Sequence, residues 1–181
     1  MSEQQDQSPA HATEAASDSV VTAMYFAVSP LKLVVMSTCT IGFYEFYWYY
    51  KHWCFVQERE KSDIMPLGRA LFAPLFCYSL FKRIQATEKS HSLPGFIAPG
   101  PLAAGWFVFT ILYRLPDPYW LITYLAVVFL VPVQMAANAI NLATAPNHDR
   151  NSTFSKLNLV GIVVGGLFFV LILVGTFLPP Q

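Results

Sequence analysis

Residues 159–178 read LVGIVVGGLFFVLILVGTFL, an almost unbroken run of Val, Leu, Ile, Phe and Gly that ends just before Pro179. A bilayer core of about 30 Å needs roughly 20 consecutive apolar residues in a helix. The run has this length and holds no charged residue. It therefore predicts a membrane-spanning helix, and this prediction decides the class of fold.

Three further apolar runs lie upstream, separated by short charged loops. They cover residues 31–50 (LKLVVMSTCTIGFYEFYWYY), 96–115 (FIAPGPLAAGWFVFTILYRL) and 119–142. Residues 116–118 (PDP) predict a tight turn, so the last two of these runs should form a helical hairpin. Pro132 predicts a kink within it. The sequence thus predicts an all-α fold, a polytopic transmembrane bundle of about four spanning helices.

One apolar stretch is too short to cross. Residues 67–81 (LGRALFAPLFCYSLF) hold only twelve uncharged positions between Arg69 and Lys82, and Pro74 is among them. At about 1.5 Å per residue, a helix of this length extends roughly 18 Å, well short of the bilayer core. We expect a short re-entrant or interfacial helix here rather than a fifth crossing.

The overall composition fits a chain surrounded by membrane lipid. Of 181 residues, 55% are hydrophobic and 12% are charged, and the net charge of +0 does not favour nucleic acid as a partner. Residues 1–28 differ, because they contain four acidic residues and no Lys or Arg. We expect a disordered acidic tail over residues 1–28, a single transmembrane helical domain over residues 29–181, and no cleavable signal peptide.

The basic residues predict the orientation. If residues 67–81 do not cross, most Lys and Arg side chains share one side of the membrane, while Arg114 lies on the other. The positive-inside rule then puts the basic side in the cytoplasm and both chain termini outside. The residues on the basic side are Lys51, Arg59, Lys61, Arg69, Lys82, Arg83, Lys89, Arg150 and Lys156.

Residues 40–53 (TIGFYEFYWYYKHW) are dense in aromatic side chains and contain a carboxylate, Glu45, within an apolar run. Tyr and Trp gather at the lipid headgroups, so an interfacial aromatic belt is one interpretation. An ionised carboxylate in hydrocarbon needs a partner or a wet surround. We expect Glu45 to pair with Arg69, and the alternative is an ion, proton or solute site.

Helical spacing places several residues on the same face as Glu45. These are Ile41, Gly42, Trp48, Tyr49 and, two turns away, His52. Gly42 would let another helix approach closely, so this face should point into the bundle. Together with residues from other runs, the candidate binding residues are Tyr44, Glu45, Trp48, Tyr49, His52, Arg69, Asn138 and Asn141.

The same stretch resembles an uncharacterised family of small bacterial membrane proteins whose motif is approximately TxGxYxxYWxYK. The matching residues are Thr40, Gly42, Tyr44, Tyr47, Trp48, Tyr50 and Lys51. The resemblance covers the first apolar run and, more loosely, the region of residues 69–84. It implies a multi-pass protein of the bacterial inner membrane and supplies no catalytic residues.

Other polar and small residues suggest helix contacts. Asn138 and Asn141 should hydrogen-bond a neighbouring helix or, alternatively, line a solute path. Gly161 and Gly165 form a GxxxG motif, which favours packing within the bundle or self-association. His52 and Cys54 are the nearest approach to a metal pair, but an i,i+2 spacing points to different sides of a helix, so we expect no metal or cofactor.

Three classes of function follow from these features. The sequence contains no HExxH, GxSxG or phosphate-binding loop, and Glu45 is the only acidic residue in an apolar run, which argues against an enzyme. A channel or carrier would use Glu45, as an oligomer because the chain shows no internal repeat. We favour a non-catalytic membrane component that binds lipid, another membrane protein or a second copy of itself.

Overall fold

The structure is a computed structural model that describes residues 22–95 and 97–178. Within these ranges the chain forms seven α-helices and no β-strand, so the all-α prediction is confirmed. Two 3₁₀ helices, Leu112–Arg114 and Tyr119–Ala126, connect α5 to α6. The α-helices are α1 (Pro30–Cys39), α2 (Phe43–Glu60), α3 (Pro66–Leu71), α4 (Ala73–Ser90), α5 (Pro99–Ile111), α6 (Val127–Thr144) and α7 (Lys156–Phe177).

Two helical segments in the described part of the chain are long and apolar enough to cross a membrane. One combines the second 3₁₀ helix with α6, Tyr119–Thr144, and the other is α7. The first is partly buried by its neighbours, whereas no residue of α7 is buried. Length and composition thus support membrane association through two of the four predicted crossings.

The first predicted crossing, residues 31–50, is not a single helix. Helix α1 ends at Cys39 and α2 begins at Phe43. Between them, Ile41 has a φ of 55° and Gly42 a φ of 83°, both in the left-handed region. The prediction of one continuous helix is wrong because hydropathy carries no information about a reversal of the backbone.

Local hydrogen bonds stabilise this turn. The Thr40 hydroxyl donates to the Met36 carbonyl at 2.6 Å and accepts from the Tyr44 backbone N–H at 2.9 Å. Gly42 does not serve as a close-packing site, since a Cβ placed there would meet no atom within 4 Å. Its predicted packing role is therefore wrong, and its contribution is the positive φ that glycine adopts readily.

The turn returns the chain to the end of the bundle at which α1 starts. Near the start of α1, Lys32 Nζ donates to Asn151 Oδ1 at 2.7 Å. Asn151 Nδ2 in turn donates to the Ala27 carbonyl at 3.0 Å. At the end of α2, Arg59 Nη1 donates to the Met24 carbonyl at 3.2 Å. The start of α1, the end of α2 and the loop before α7 therefore lie together.

We call this region the basic end, because it holds most of the cations. It includes Arg59, Arg83, Lys89, Arg150 and Lys156, whereas Arg114 lies between α5 and α6 at the opposite end. Residues 22–29 lie at the basic end. The expectation that the N-terminal part of the chain lies opposite the basic loops is wrong for these residues, because residues 31–50 double back.

Two helices joined by a tight turn replace the single short helix expected over residues 67–81. Helix α3 ends at Leu71, and α4 starts at Ala73 with Pro74 in its first turn, where a missing N–H costs nothing. Helix α4 continues to Ser90, well past the predicted end. The chain thus contains two consecutive helix–turn–helix units before α5.

Residues 22–29 form an extended segment packed within the bundle. Tyr25 and Val28 have 0% of their surface exposed, and Phe26 and Ala27 are also buried. The packed domain therefore starts before Tyr25 rather than at residue 29. The rest of the expected acidic tail, residues 1–21, lies outside the described residues.

Helix α7 packs against α1 through the GxxxG motif. A Cβ added at Gly165 would overlap the carbonyl oxygen of Cys39, and one added at Gly161 would lie 3.7 Å from the Met36 side chain. The absence of these side chains allows α1 and α7 to come into backbone contact. In this structure the motif therefore packs within the bundle, and self-association through it stays a prediction.

The aromatic stretch supplies much of the core. Trp48, Tyr49 and Trp53 have 0% exposure, and Tyr49 packs edge-on against Trp106 with ring centroids 5.0 Å apart. An interfacial belt is therefore the wrong interpretation for these three side chains, although Phe43 is 78% exposed. Burying a large aromatic side chain is strongly favourable, so this helix face anchors the bundle.

Candidate functional site

A cavity of about 660 Å³ lies where the two helix–turn–helix units meet α5 and the segment leading into α6. The α1–α2 turn and the α3–α4 turn both contribute to its wall, so two breaks in helical structure face one space. Its lining is mostly apolar and aromatic. The lining residues include Ile41, Gly42, Phe43, Ala70, Leu71, Ala73, Trp106, Thr110, Tyr113, Trp120 and Thr123.

Among the described residues that line the cavity, Glu45 is the only charged one. It lies in the first turn of α2, which starts at the α1–α2 turn. Its Oε2 accepts a hydrogen bond from Trp106 Nε1 at 2.8 Å. One indole N–H leaves most of the acceptor capacity of a carboxylate unused. Glu45 can therefore accept further hydrogen bonds from a molecule in the cavity.

The predicted ion pair between Glu45 and Arg69 is wrong, because Arg69 faces a different environment. Its guanidinium lies over the ring of Trp53 at 4.4 Å and over that of Phe76 at 5.2 Å from the centroids. Both contacts are cation–π interactions, which the wide flat guanidinium favours. Stacking between α2 and α4 thus holds Arg69 instead.

Three side chains of the cavity wall carry buried hydroxyl groups. Ser37, Tyr49 and Tyr124 all line it, and their hydroxyl oxygens are buried without a hydrogen-bond partner among the described residues. Buried polar groups without partners cost about 1–3 kcal/mol each. Because these oxygens have almost no accessible surface, a molecule in the cavity could bond them only after the side chains turned.

Trp48 and His52, predicted to share the Glu45 site, are instead directed to Gln134 on α6. Trp48 Nε1 donates to Gln134 Oε1 at 2.6 Å, and His52 Nε2 donates to the same oxygen at 3.2 Å. Of the buried residues predicted beside Glu45, Tyr49 lines the cavity and Tyr44 does not. The predicted position beside Glu45 is therefore wrong for Tyr44, Trp48 and His52, while a binding role for Tyr49 stays a prediction.

Asn138 and Asn141 form hydrogen bonds with the protein backbone rather than lining a path for a solute. Asn141 Nδ2 donates to the Tyr25 carbonyl at 2.8 Å, and Asn141 Oδ1 accepts from the Tyr25 N–H at 3.0 Å. Asn138 Nδ2 donates to the Val28 carbonyl at 2.9 Å. The solute-path interpretation is wrong, and the partner is an extended segment rather than a neighbouring helix.

Gln134 completes this ladder of amides and was not identified from the sequence. Its Nε2 donates to the Phe26 carbonyl at 3.0 Å and to Asn138 Oδ1 at 2.8 Å. The available signal was the spacing of Gln134, Asn138 and Asn141 at i, i+4 and i+7, which places three amides on one stripe of an apolar helix. The stripe positions residues 22–29 and, through them, the base of α1.

Within the described ranges, no three His, Cys, Asp or Glu side chains lie close enough to hold a metal ion together. Comparison with protein-family models, with curated proteins and with solved structures finds no match. The candidate site is therefore defined by its own geometry: a mostly apolar cavity with the Glu45 carboxylate in its wall.

Proposed function

We propose that this chain is a multi-pass integral membrane protein that binds an amphiphilic molecule with a cationic head in the cavity at Glu45, without converting it chemically. The observation behind the proposal is that one carboxylate, Glu45, lies in the wall of a mostly apolar and aromatic cavity of about 660 Å³. By the resemblance of residues 40–51, we place it in the bacterial inner membrane.

The distribution of charge supports several passes. Near the start of α5, the Ile97 carbonyl accepts from Gln85 on α4 at 2.8 Å, so α5 begins at the basic end. The chain then reaches Arg114 at the opposite end, returns through α6 and leaves again through α7. Lys and Arg remain on the cytoplasmic side of membrane proteins, so the basic end should face the cytoplasm.

The cavity has the size and composition of a small-molecule site. Such sites usually enclose about 300–1,000 Å³, with apolar walls and a few polar groups that orient the ligand. Aromatic faces together with a carboxylate recognise organic ammonium groups. The rings of Trp106, Trp120 and Tyr113 lie in the same wall as Glu45. An alkylammonium amphiphile matches both the apolar wall and the carboxylate.

We expect Glu45→Gln to lower the affinity for a dodecylammonium probe, whose head can donate hydrogen bonds to a carboxylate, at least tenfold. Loss of the carboxylate removes its attraction for the cation, while glutamine can still accept the hydrogen bond from Trp106. The measurement is equilibrium binding of the radiolabelled probe to the full chain in nanodiscs, with empty nanodiscs subtracted. The neutral alcohol dodecanol should bind both proteins within about twofold.

Glu58→Gln is the matched control, since Glu58 is an exposed carboxylate on the same helix as Glu45. It should leave the binding of both probes unchanged. The proposal would be contradicted by non-saturable binding of the ammonium probe to the wild-type protein. It would also be contradicted if Glu58→Gln weakened binding as much as Glu45→Gln, because the effect would then come from general surface charge.

A carrier is the second candidate function, and the two broken helical units favour it. Non-helical backbone at membrane depth is tolerated where it lines a cavity, and carriers place substrate sites at such breaks. If the protein is a carrier, proteoliposomes should accumulate a labelled short-chain alkylammonium, and Glu45→Gln should reduce the initial rate at least tenfold. Saturable binding without uptake would leave binding alone as the function.

A further inference from the structure

A second group of charged side chains lies at the basic end and does not line the cavity. Its only carboxylate, Glu60, pairs with Arg83 through Nη1 and lies 3.8 Å from Arg59 Nη2. Arg69 acts electrostatically on this group but has no hydrogen-bond acceptor or ion-pair partner within residues 22–95 and 97–178. Two guanidinium groups thus share one carboxylate and a third, that of Arg69, lies near it without an ion-pair partner among the described residues, which leaves a local excess of positive charge.

Aromatic stacking fixes Arg69 and leaves its N–H groups unused. Trp53 and Phe76 contact the face of the guanidinium, while its five donors lie around its edge. Arg83 also approaches the Trp53 ring, at 5.9 Å from the centroid. The fully buried Trp53 indole N–H has no acceptor among the described residues either. This cluster is rich in donors and needs an anion.

The surface beside Arg69 identifies the kind of anion. Met65 and Phe72, at i−4 and i+3 from Arg69, are 74% and 54% exposed, and Leu75, next to Phe76 on α4, is 75% exposed. A freely soluble anion would gain nothing from contact with these exposed apolar side chains. A lipid places its headgroup phosphate next to its acyl chains, and Arg binds phosphate oxygens in a bidentate manner.

We infer that Arg69, with Arg83 beside it on the Trp53 ring, binds the phosphodiester of an anionic phospholipid whose acyl chains cover the exposed side chains of Met65, Phe72 and Leu75. The lipid would lie at the cytoplasmic surface, since the cluster is at the basic end. This site is separate from the Glu45 cavity and takes a ligand of opposite charge, so it does not depend on the proposed function.

The test is titration of the purified full chain in a neutral detergent with dioctanoyl phosphatidylglycerol, followed by native mass spectrometry. We expect the wild-type protein to retain this lipid at least tenfold more tightly than dioctanoyl phosphatidylcholine. Arg69→Gln should remove that preference, and Arg69→Lys should restore only part of it because an ammonium cannot bind in a bidentate manner. Glu45→Gln should leave it intact.

Lys82→Gln is the matched control, because it removes one positive charge from an exposed position on α4. It should change phosphatidylglycerol binding less than twofold. An equal loss in Lys82→Gln and Arg69→Gln would overturn the inference in favour of diffuse charge attraction. Displacement of the lipid by equimolar glycerophosphoglycerol, which lacks acyl chains, would overturn the assignment to a lipid. Should Arg69→Gln not fold, the partial loss expected of Arg69→Lys decides the matter.

Discussion

Replacing Gln134 with leucine should lower the thermal midpoint of the purified protein by roughly 6–12 °C, if about 3 kcal/mol is lost. The Gln134 amide makes three buried hydrogen bonds and one partly buried one: it accepts from Trp48 and His52 and donates to the Phe26 carbonyl and, in the partly buried bond, to Asn138. Leucine keeps the volume but leaves these groups without a partner. Each orphaned buried group costs about 1–3 kcal/mol, and less where the unfolded state in the membrane finds other partners.

The adjacent position provides the control for this substitution. Met135 is 58% exposed on the same turn of α6, so Met135→Leu should leave the midpoint within about 1 °C of wild type. Tryptophan fluorescence during heating reports the transition, and near-ultraviolet circular dichroism at low temperature reports whether the native packing has formed. A midpoint for Gln134→Leu equal to that of Met135→Leu would show that the amide is not the centre of the network.

The same network explains why the N-terminal boundary was difficult to predict. Residues 1–28 are acidic and contain no Lys or Arg, and by composition Tyr25 and Phe26 belong to this segment. In the structure, however, both side chains are buried in the bundle. Extended chain in a bundle needs partners for its N–H and C=O groups. Those partners are amides on α6, more than a hundred residues away in sequence. A pairing over this distance has no local signature.

The helices themselves were predictable to the extent that hydropathy determines them. Helix α7 matches the predicted last crossing closely, because its uniform apolar sequence has one favourable conformation in lipid. The α1–α2 turn was hidden inside an equally apolar run. Its positive φ at Ile41 is a conformation that a β-branched residue rarely adopts, so propensity argues against the turn that tertiary packing imposes.

The candidate site was predicted in part for a similar reason. The cost of a carboxylate in an apolar run pointed correctly to Glu45 as a residue needing a partner, and helical spacing correctly put Tyr49 beside it. The partner itself, Trp106, lies on α5 and was assigned no role. Charge complementarity suggested Arg69, but cation–π stacking on Trp53 satisfies that side chain without a carboxylate. The sequence alone does not decide between Trp106 and Arg69 as the partner of Glu45, because the choice depends on how α3 packs against α2.

Helix α7 should respond sharply to a single added methyl group at Gly165. A Cβ there would overlap the Cys39 carbonyl, which belongs to backbone and cannot rotate aside as a side chain would. Helices α1 and α7 must separate, at a cost of roughly 1–3 kcal/mol as for other overpacked contacts. We expect Gly165→Ala to lower the thermal midpoint by several degrees, despite the higher helix propensity of alanine.

Gly166→Ala is an unusually close control, since the two glycines are neighbours on one helix and a Cβ at Gly166 would meet nothing within 4 Å. It should be neutral or slightly stabilising, so the difference between the two variants isolates the contact with α1.

Light scattering of both variants in detergent supplies the second measurement, the mass of the oligomer. If Gly165→Ala reduced the oligomer mass without changing the midpoint, the glycine would serve contacts between chains, and α7 would not be held by α1. An unchanged mass and an unchanged midpoint in both variants would contradict the close contact between the backbones of α1 and α7. A lower midpoint at unchanged mass is what backbone contact between α1 and α7 requires, because the surface that GxxxG offers is then already occupied within the chain.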